Sequence, residues 1–203
     1  MILYGAPNPA PNPRRVRIFL AEKGVDLPET RVDMMKREHK SPEFRAKNSL
    51  GQIPALELDD GTVISETVAI CRYFEETNPE PPLFGTTAVE KALVDMWIRR
   101  VEFVLMTPVG NFWRHAHPRT AALLTQYKDF GESNREAYAN AQRWLNRELE
   151  DRDFIAGPTY TMADICALST VDFATWIGLE LDPQHANLKA WHERVTARPS
   201  AAA

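Results

Sequence analysis

Gly51-Gln52-Ile53-Pro54, Asp60-Gly61 and Ser65-Glu66-Thr67-Val68-Ala69-Ile70 fall within one run of twenty residues. They signal in turn a tight bend, a hairpin and a helix start. An X-Pro bond between an apolar run and a turn is where cis peptides occur. A cis Ile53–Pro54 bond predicts an Ile53 whose backbone N–H and C=O stay free to pair with an extended, peptide-like ligand. Glu66 and Thr67 follow the hairpin at the helix start, where an acid and a hydroxyl can hold a ligand's charged end. Together these residues predict a site for a small peptide.

Upstream, strand and helix signals alternate. Ile2-Leu3-Tyr4 reads as a short strand. Arg14 to Lys23 reads as a helix, with Val16, Phe19 and Leu20 on one face and Gly24 as its stop. Thr30 to Met34 alternates like a second strand. Ser41-Pro42-Glu43 supplies an N-cap, a proline at the first helical position and an acidic first turn. Ala55–Leu58 and Thr62–Ile64 flank the Asp60-Gly61 turn, and a helix runs from about Glu66 to Glu76. The order β-α-β-α-β-β-α over residues 1–78 is that of a thioredoxin-like domain.

Asn78-Pro79-Glu80-Pro81-Pro82, with three prolines in five residues, supports neither helix nor central strand. Residues 79–87 therefore read as a linker, and 88–203 as an all-helical domain. Ala92, Leu93, Met96, Trp97, Val101, Val104 and Leu105 recur at helical spacing, as do Ala137, Ala141, Trp144, Leu145 and Leu149. Asp164 to Trp176 is a more apolar helix, and Leu188 to Thr196 a short last one.

With 203 residues, 44% of them hydrophobic and 26% charged, the composition is that of an ordinary globular protein. A net charge of −4 argues against a nucleic-acid partner and against an anionic membrane surface. The first residues show no secretory pattern, and no stretch is long enough to span a bilayer. Cys71 and Cys166 lie far apart in apolar helical contexts and read as buried, reduced structural cysteines. A cytoplasmic location fits this usage.

Five segments in order resemble a cytosolic glutathione S-transferase over nearly the whole chain. They are Arg14-Arg15-Val16-Arg17-Ile18-Phe19-Leu20-Ala21-Glu22-Lys23-Gly24, Glu38-His39-Lys40-Ser41-Pro42-Glu43-Phe44, Gly51 to Leu56, Asp60-Gly61 through Ser65-Glu66-Thr67, and Thr161-Met162-Ala163-Asp164. The resemblance implies a glutathione-binding N-terminal domain, a helical domain shaping a second-substrate pocket, and usually a homodimer. Glutathione is then a cosubstrate rather than a resident cofactor, and its reaction partner a small hydrophobic electrophile or a disulfide.

Glutathione offers a γ-glutamyl end, a cysteine thiol and a glycine carboxylate. Glu66 suits the γ-glutamyl ammonium, and Thr67 at a helix N-terminus suits the adjacent carboxylate. Ile53, before Pro54, pairs with the cysteinyl backbone. By family analogy Gln52 lies near the γ-glutamyl carboxylate, and His39 and Lys40 reach the glycine carboxylate.

The thiol position departs from the family pattern. Where many relatives carry Ser or Cys, this chain reads Asn8-Pro9-Ala10-Pro11-Asn12-Pro13, and alanine cannot donate to a thiolate. The loop is similar to Nu-class and disulfide-reductase-type bacterial members, which place an asparagine near the sulfur. Asn12 is thus the expected thiolate stabiliser, aided by the positive end of the first helix; the structural alternative is an N-cap before Pro13. Tyr4 ranks behind it. Ala10, Phe112, Trp113 and His115 are candidates for the second-substrate pocket. The His115-x-His117 pair lacks a third ligand, so no metal is expected. Thr161-x-x-Asp164 reads as a structural capping box. Three functions follow: glutathione transfer, glutathione-dependent disulfide or peroxide reduction, and non-catalytic binding.

Overall fold

The protein, described over all 203 residues by a computed structural model, divides into two compact units, Met1–Leu83 with Pro199–Ala203 and Phe84–Arg198. In the first, β1 (Ile2–Gly5), β2 (Glu29–Arg31), β3 (Ala55–Glu57) and β4 (Val63–Ser65) form one sheet in the order β2-β1-β3-β4. The pair β1–β2 is parallel; β1–β3 and β3–β4 are antiparallel. With α1 (Pro11–Lys23), α2 (Pro42–Lys47) and α3 (Thr67–Thr77), this is the expected thioredoxin-like order. Tyr4, Ile53 and Val63 pack with Val32, Phe44 of α2 and Ala55 on one side. Leu3 and Leu56, their neighbours in a period-2 pattern, are also buried.

Two element boundaries differ from the sequence reading, each for a local reason. The first helix begins at Pro11, not Arg14, with Ala10 as N-cap. Prolines at its first and third positions forfeit only N–H groups that have no intrahelical partner anyway. Asn12 is consequently inside the helix and is not its cap. The second strand stops at Arg31 because the Asp33 carboxylate captures the N–H groups of Met35 (2.9 Å) and Lys36 (3.1 Å), closing a turn. Gly24 ends α1 in the left-handed conformation, as read.

The proline segment belongs to the first unit. Lys23 Nζ donates to the carbonyls of Pro79 (3.2 Å) and Pro81 (2.6 Å) and pairs with Glu75 (2.6 Å), whose other oxygen accepts the Leu83 N–H (3.0 Å). Pro199–Ala203, assigned by sequence to the helical domain, also returns here. Arg14 donates to the Ala201 carbonyl at 3.0 Å, and Ser200 bonds Glu22. This accounts for a cation in the first half of α1: Arg14 has a carbonyl to serve, while Arg15 is buried.

The second unit holds α4 (Ala88–Arg100), α5 (Thr107–His115), α6 (Lys128–Glu148), α7 (Met162–Trp176) and α8 (Ala186–Thr196). The single long helix read from periodicity is interrupted by a π-helical turn, Val101–Met106. Pro108 lies just beyond it, where its missing N–H and its ring disturb the ladder. The wide turn adapts, and Thr107 Oγ1 donates to the Glu102 carbonyl at 3.0 Å. No helix is long and apolar enough to cross a membrane. Cys71 and Cys166 are buried and form no disulfide, as read.

A capping box starts α4. The Glu90 carboxylate accepts the N–H groups of Thr86 (2.8 Å) and Thr87 (3.0 Å) and the Thr86 hydroxyl (2.6 Å), while Thr87 Oγ1 accepts the Glu90 N–H (3.2 Å). These donors, the Thr86 hydroxyl foremost, lower its pKa from 4.5 to about 2. A depressed folded-state pKa contributes stability above the unfolded value, and that stability is lost as pH falls through the folded one. The difference in Tm between the wild type and Glu90→Gln should therefore be present at neutral pH and close between 4.5 and about 2. A gap constant across that window contradicts the assignment.

Candidate functional site

Sheet register brings the sequence-derived residues to one end of the first unit. Residue Gly5, the last of β1, pairs with Arg31, the last of β2, so the segments leaving both strands emerge together. Tyr4 pairs with Ala55, the first residue of antiparallel β3, so Gln52-Ile53-Pro54 enters at that end. Ala55 in turn pairs with Ser65, so Glu66 and Thr67 leave β4 there as well. The Pro7–Asn12 loop, His39 and Lys40, Gln52 to Pro54, and the start of α3 thus share one edge. Residues scattered over sixty positions meet because the crossover keeps β2 parallel to β1 while β3 runs against both β1 and β4.

The Ile53–Pro54 peptide is cis, and the Ile53 N–H and C=O take no hydrogen bond within the protein. The segment before it is held from two sides. Asn48 Nδ2 donates to the Gln52 carbonyl at 2.9 Å, and Lys40 Nζ donates to the carbonyls of Leu50 (3.0 Å) and Gly51 (2.6 Å). Gly51 has φ +56°, and a Cβ there would lie 2.5 Å from the His39 carbonyl oxygen, so only glycine lets this loop close on His39 and Lys40. Gln52 itself is exposed.

Glu66 caps α3 with φ +71°, a conformation that costs a non-glycine residue about 1–3 kcal/mol and is characteristic of functional sites. Its carbonyl accepts the Ile70 N–H at 3.0 Å, which leaves the N–H groups of Thr67, Val68 and Ala69 as the open donors of the helix start. Thr67 is buried and Glu66 exposed. This arrangement accepts an anion on the helix axis with an acid beside it for an ammonium.

His39 is buried with Nδ1 unpartnered. Burial, then the charges of Lys40, Arg37 and Arg45, lower its pKa below the ordinary histidine value, so it is neutral at pH 7. The cation at this edge is therefore Lys40 alone of the two.

At the start of α1, prolines at positions 11 and 13 have no N–H, and the Arg14 N–H is spent on the Ala10 carbonyl at 3.3 Å. The one open backbone donor of that turn belongs to Asn12. Its side-chain Oδ1 is buried without a partner, and its Nδ2 donates to nothing in the protein. Tyr4 is differently engaged. Its hydroxyl donates to Glu57 at 2.6 Å, Lys47 pairs with the same oxygen at 2.6 Å, and its ring meets Phe44 edge-on. The Glu57 hydrogen bond, then burial, raise the Tyr4 pKa and keep its proton in place.

The remaining sequence candidates lie in the second unit. Phe112 is buried, with the Arg135 guanidinium 4.3 Å from its ring. Trp113 packs with His117, Phe173 and Trp176. His115 is set apart from these rings, against Tyr127 and Phe130. The two histidines therefore face different aromatic neighbours. Sequence reasoning missed Arg17 and Asn8, whose side chains bond each other at 2.5 Å beside Asn12's loop. Alternation of proline with other residues from Pro7 to Pro13 was the available signal, since such a loop lacks backbone donors to anchor itself.

Two family models match the chain: the glutathione S-transferase N-terminal domain over residues 10–77 and the C-terminal domain over 125–199. Glutathione S-transferase 2 of Saccharomyces cerevisiae is 38% identical over 98% of this chain and 87% of that protein. The crystal structure of Gtt2 from the same yeast superposes with a TM-score of 0.93, at 36% identity, over 100% of this chain and 99% of that one. A class Gtt2 enzyme of Vibrio parahaemolyticus gives 0.86 at 31% identity over 98% and 94%. Likeness of this extent, on a fold whose sheet edge gathers the residues expected for a tripeptide, places the chain in the glutathione S-transferase family.

Proposed function

We propose that this protein binds glutathione at the shared sheet edge, stabilises its thiolate and transfers it to a small hydrophobic electrophile. Glu66 and the open N–H groups of α3 take the γ-glutamyl ammonium and carboxylate, with Gln52 beside them. The Ile53 backbone pairs with the cysteinyl residue, and Lys40, with neutral His39, takes the glycine carboxylate. The sulfur then meets the start of α1. The observation that supports the reading most is that this turn has one source of open donors, the backbone N–H and Nδ2 of Asn12. Both favour thiolate over thiol, as does the positive end of the helix. No covalent enzyme intermediate is required, because the nucleophile belongs to the cosubstrate.

The test is a titration of the glutathione thiol in the complex, followed by thiolate absorbance. The wild type should lower the thiol pKa below that of free glutathione. Asn12→Ala should raise it again and reduce kcat/KM at neutral pH by about tenfold. An undepressed wild-type value defeats the proposal, and an Asn12→Ala variant indistinguishable from wild type defeats the assignment of Asn12.

A second reading, glutathione-dependent reduction of a disulfide or peroxide, is favoured by Ala10, which leaves an amide rather than a hydroxyl facing the sulfur. Turnover on an aryl halide against turnover on a mixed disulfide separates the two. A thiol pKa left undepressed in the complex points instead to a non-catalytic binding protein of the same fold. Exposed Val89, Leu93 and Phe103 on α4 and the π turn suit a homodimer, and a solution mass equal to that of one chain would contradict it.

A further inference from the structure

We propose that Arg17 is a positioning residue for the glutathione thiolate, its guanidinium fixing the Ala6–Ala10 loop against α1 so that Asn12 meets the sulfur. This rests on the thiolate reading above and adds a residue that touches neither substrate. The loop has little to hold itself with. Pro7 and Pro9 have no N–H, and the one internal backbone bond is Ala10 N–H to the Pro7 carbonyl at 3.2 Å. Its cap, Ala10, makes no side-chain bond to the helix.

Arg17 supplies what the backbone lacks. From α1 its Nη1 donates to the Ala6 carbonyl at 2.9 Å and to Glu29 Oε1 at 3.2 Å, and its Nη2 donates to Asn8 Oδ1 at 2.5 Å. Asn8 in turn donates from Nδ2 to the Ala203 carbonyl at 3.3 Å. Glu29 reaches Arg17 by lying over Gly5, where a Cβ would sit 2.2 Å from its Oε1. One planar fork thus ties the end of β1, the loop, the first residue of β2 and α1 together, with its side chain only 18% exposed. A lysine cannot repeat this, because an ammonium is a point charge without the fixed fork. Loss of the tie lets the loop and the first turn of α1 shift, and misplacement of about 1 Å costs up to about a hundredfold in rate.

The experiment compares the wild type, Arg17→Lys and Asn8→Ala, with folding checked by circular dichroism. Asn8→Ala removes only the loop end of the tie and is the deciding variant where Arg17→Lys fails to fold. In both, the thiol pKa of bound glutathione should rise toward the free value. The kcat/KM should fall about tenfold near pH 6.5, with the deficit shrinking as pH rises, while glutathione Kd changes less than about threefold. A merely structural role predicts a lowered Tm with the pH profile unmoved. A depressed wild-type thiol pKa that stays equally depressed in folded Asn8→Ala overturns the inference alone. A wild type that binds glutathione without depressing its thiol overturns this inference together with the proposed function.

Discussion

Asp164→Ala should cost about 4–6 kcal/mol and leave little native protein at physiological temperature, since domains are stable by only about 5–15 kcal/mol. Asp164 lies in the first turn of α7 and is completely buried. Its Oδ1 accepts the Ile155 N–H and the Trp191 indole N–H, each at 2.9 Å, and its Oδ2 accepts the Thr161 N–H (2.9 Å) and hydroxyl (3.1 Å). One carboxylate therefore joins the loop before α7, the start of α7 and the buried tryptophan of α8. Truncation strands two backbone donors and an indole in a dry interior, each costing about 1–3 kcal/mol, and opens a cavity beside Trp191. Burial raises the Asp164 pKa against the opposing pull of these bonds. A carboxyl raised in the folded state binds its proton more tightly there, so its contribution is greatest in acid and declines as pH rises through the raised value. Urea unfolding of Asp164→Ala should show a much lower midpoint, and a loss below about 1 kcal/mol would refute the account.

Thr161-x-x-Asp164 was legible as a capping box because its spacing is local. Its reach to Ile155 and Trp191 was not, since neither contact leaves a mark on the spacing. The same division runs through the fold. Gly24, Ser41-Pro42 and Asp60-Gly61 announce their boundaries, each forced by backbone chemistry within a few residues. Pro11 and Pro13 misled in the other direction. Proline reads as helix-breaking, yet at the first and third positions of α1 it removes nothing the helix uses. The π turn at Val101–Met106 escaped because apolar periodicity survives a wide turn almost unchanged.

At the candidate site, residue types were readable and their convergence was not. Ile53, Glu66 and Thr67 carry local signatures, but only strand register brings them beside Asn12 and Lys40. His39 illustrates the remaining gap. Its identity leaves it able to carry charge near neutral pH, whereas burial, then the charges of Lys40, Arg37 and Arg45, lower its pKa and favour the neutral form, a property of three-dimensional crowding rather than of sequence. Arg17 was hidden for a related reason, because its partners Ala6, Asn8 and Glu29 are chosen by where β1 and β2 end.

Lys23→Met should destabilise the protein by about 3–5 kcal/mol, the usual effect of removing one member of a buried ion pair. The Lys23 side chain is 0% exposed and that of Glu75 10%. The ammonium has three donors and three acceptors around it, the carbonyls of Pro79 and Pro81 and the Glu75 carboxylate. That set matters because prolines cannot donate: the segment 79–82 has few N–H groups with which to bind itself down, and Lys23 holds it through its carbonyls instead. Methionine fills the stem's volume yet takes the ammonium away from the Glu75 carboxylate, whose other oxygen accepts the Leu83 N–H. The double variant Lys23→Met/Glu75→Gln should recover part of the loss, since the carboxylate that lost the Lys23 ammonium is then neutral while the two proline carbonyls remain unserved. Amide exchange at Leu83 separates this from general destabilisation. It should accelerate in Lys23→Met by more than the change in global stability allows, because Glu75 no longer has the Lys23 ammonium to keep it on the Leu83 N–H. Exchange that tracks global unfolding alone would mean that the pair supports the core and not the proline segment.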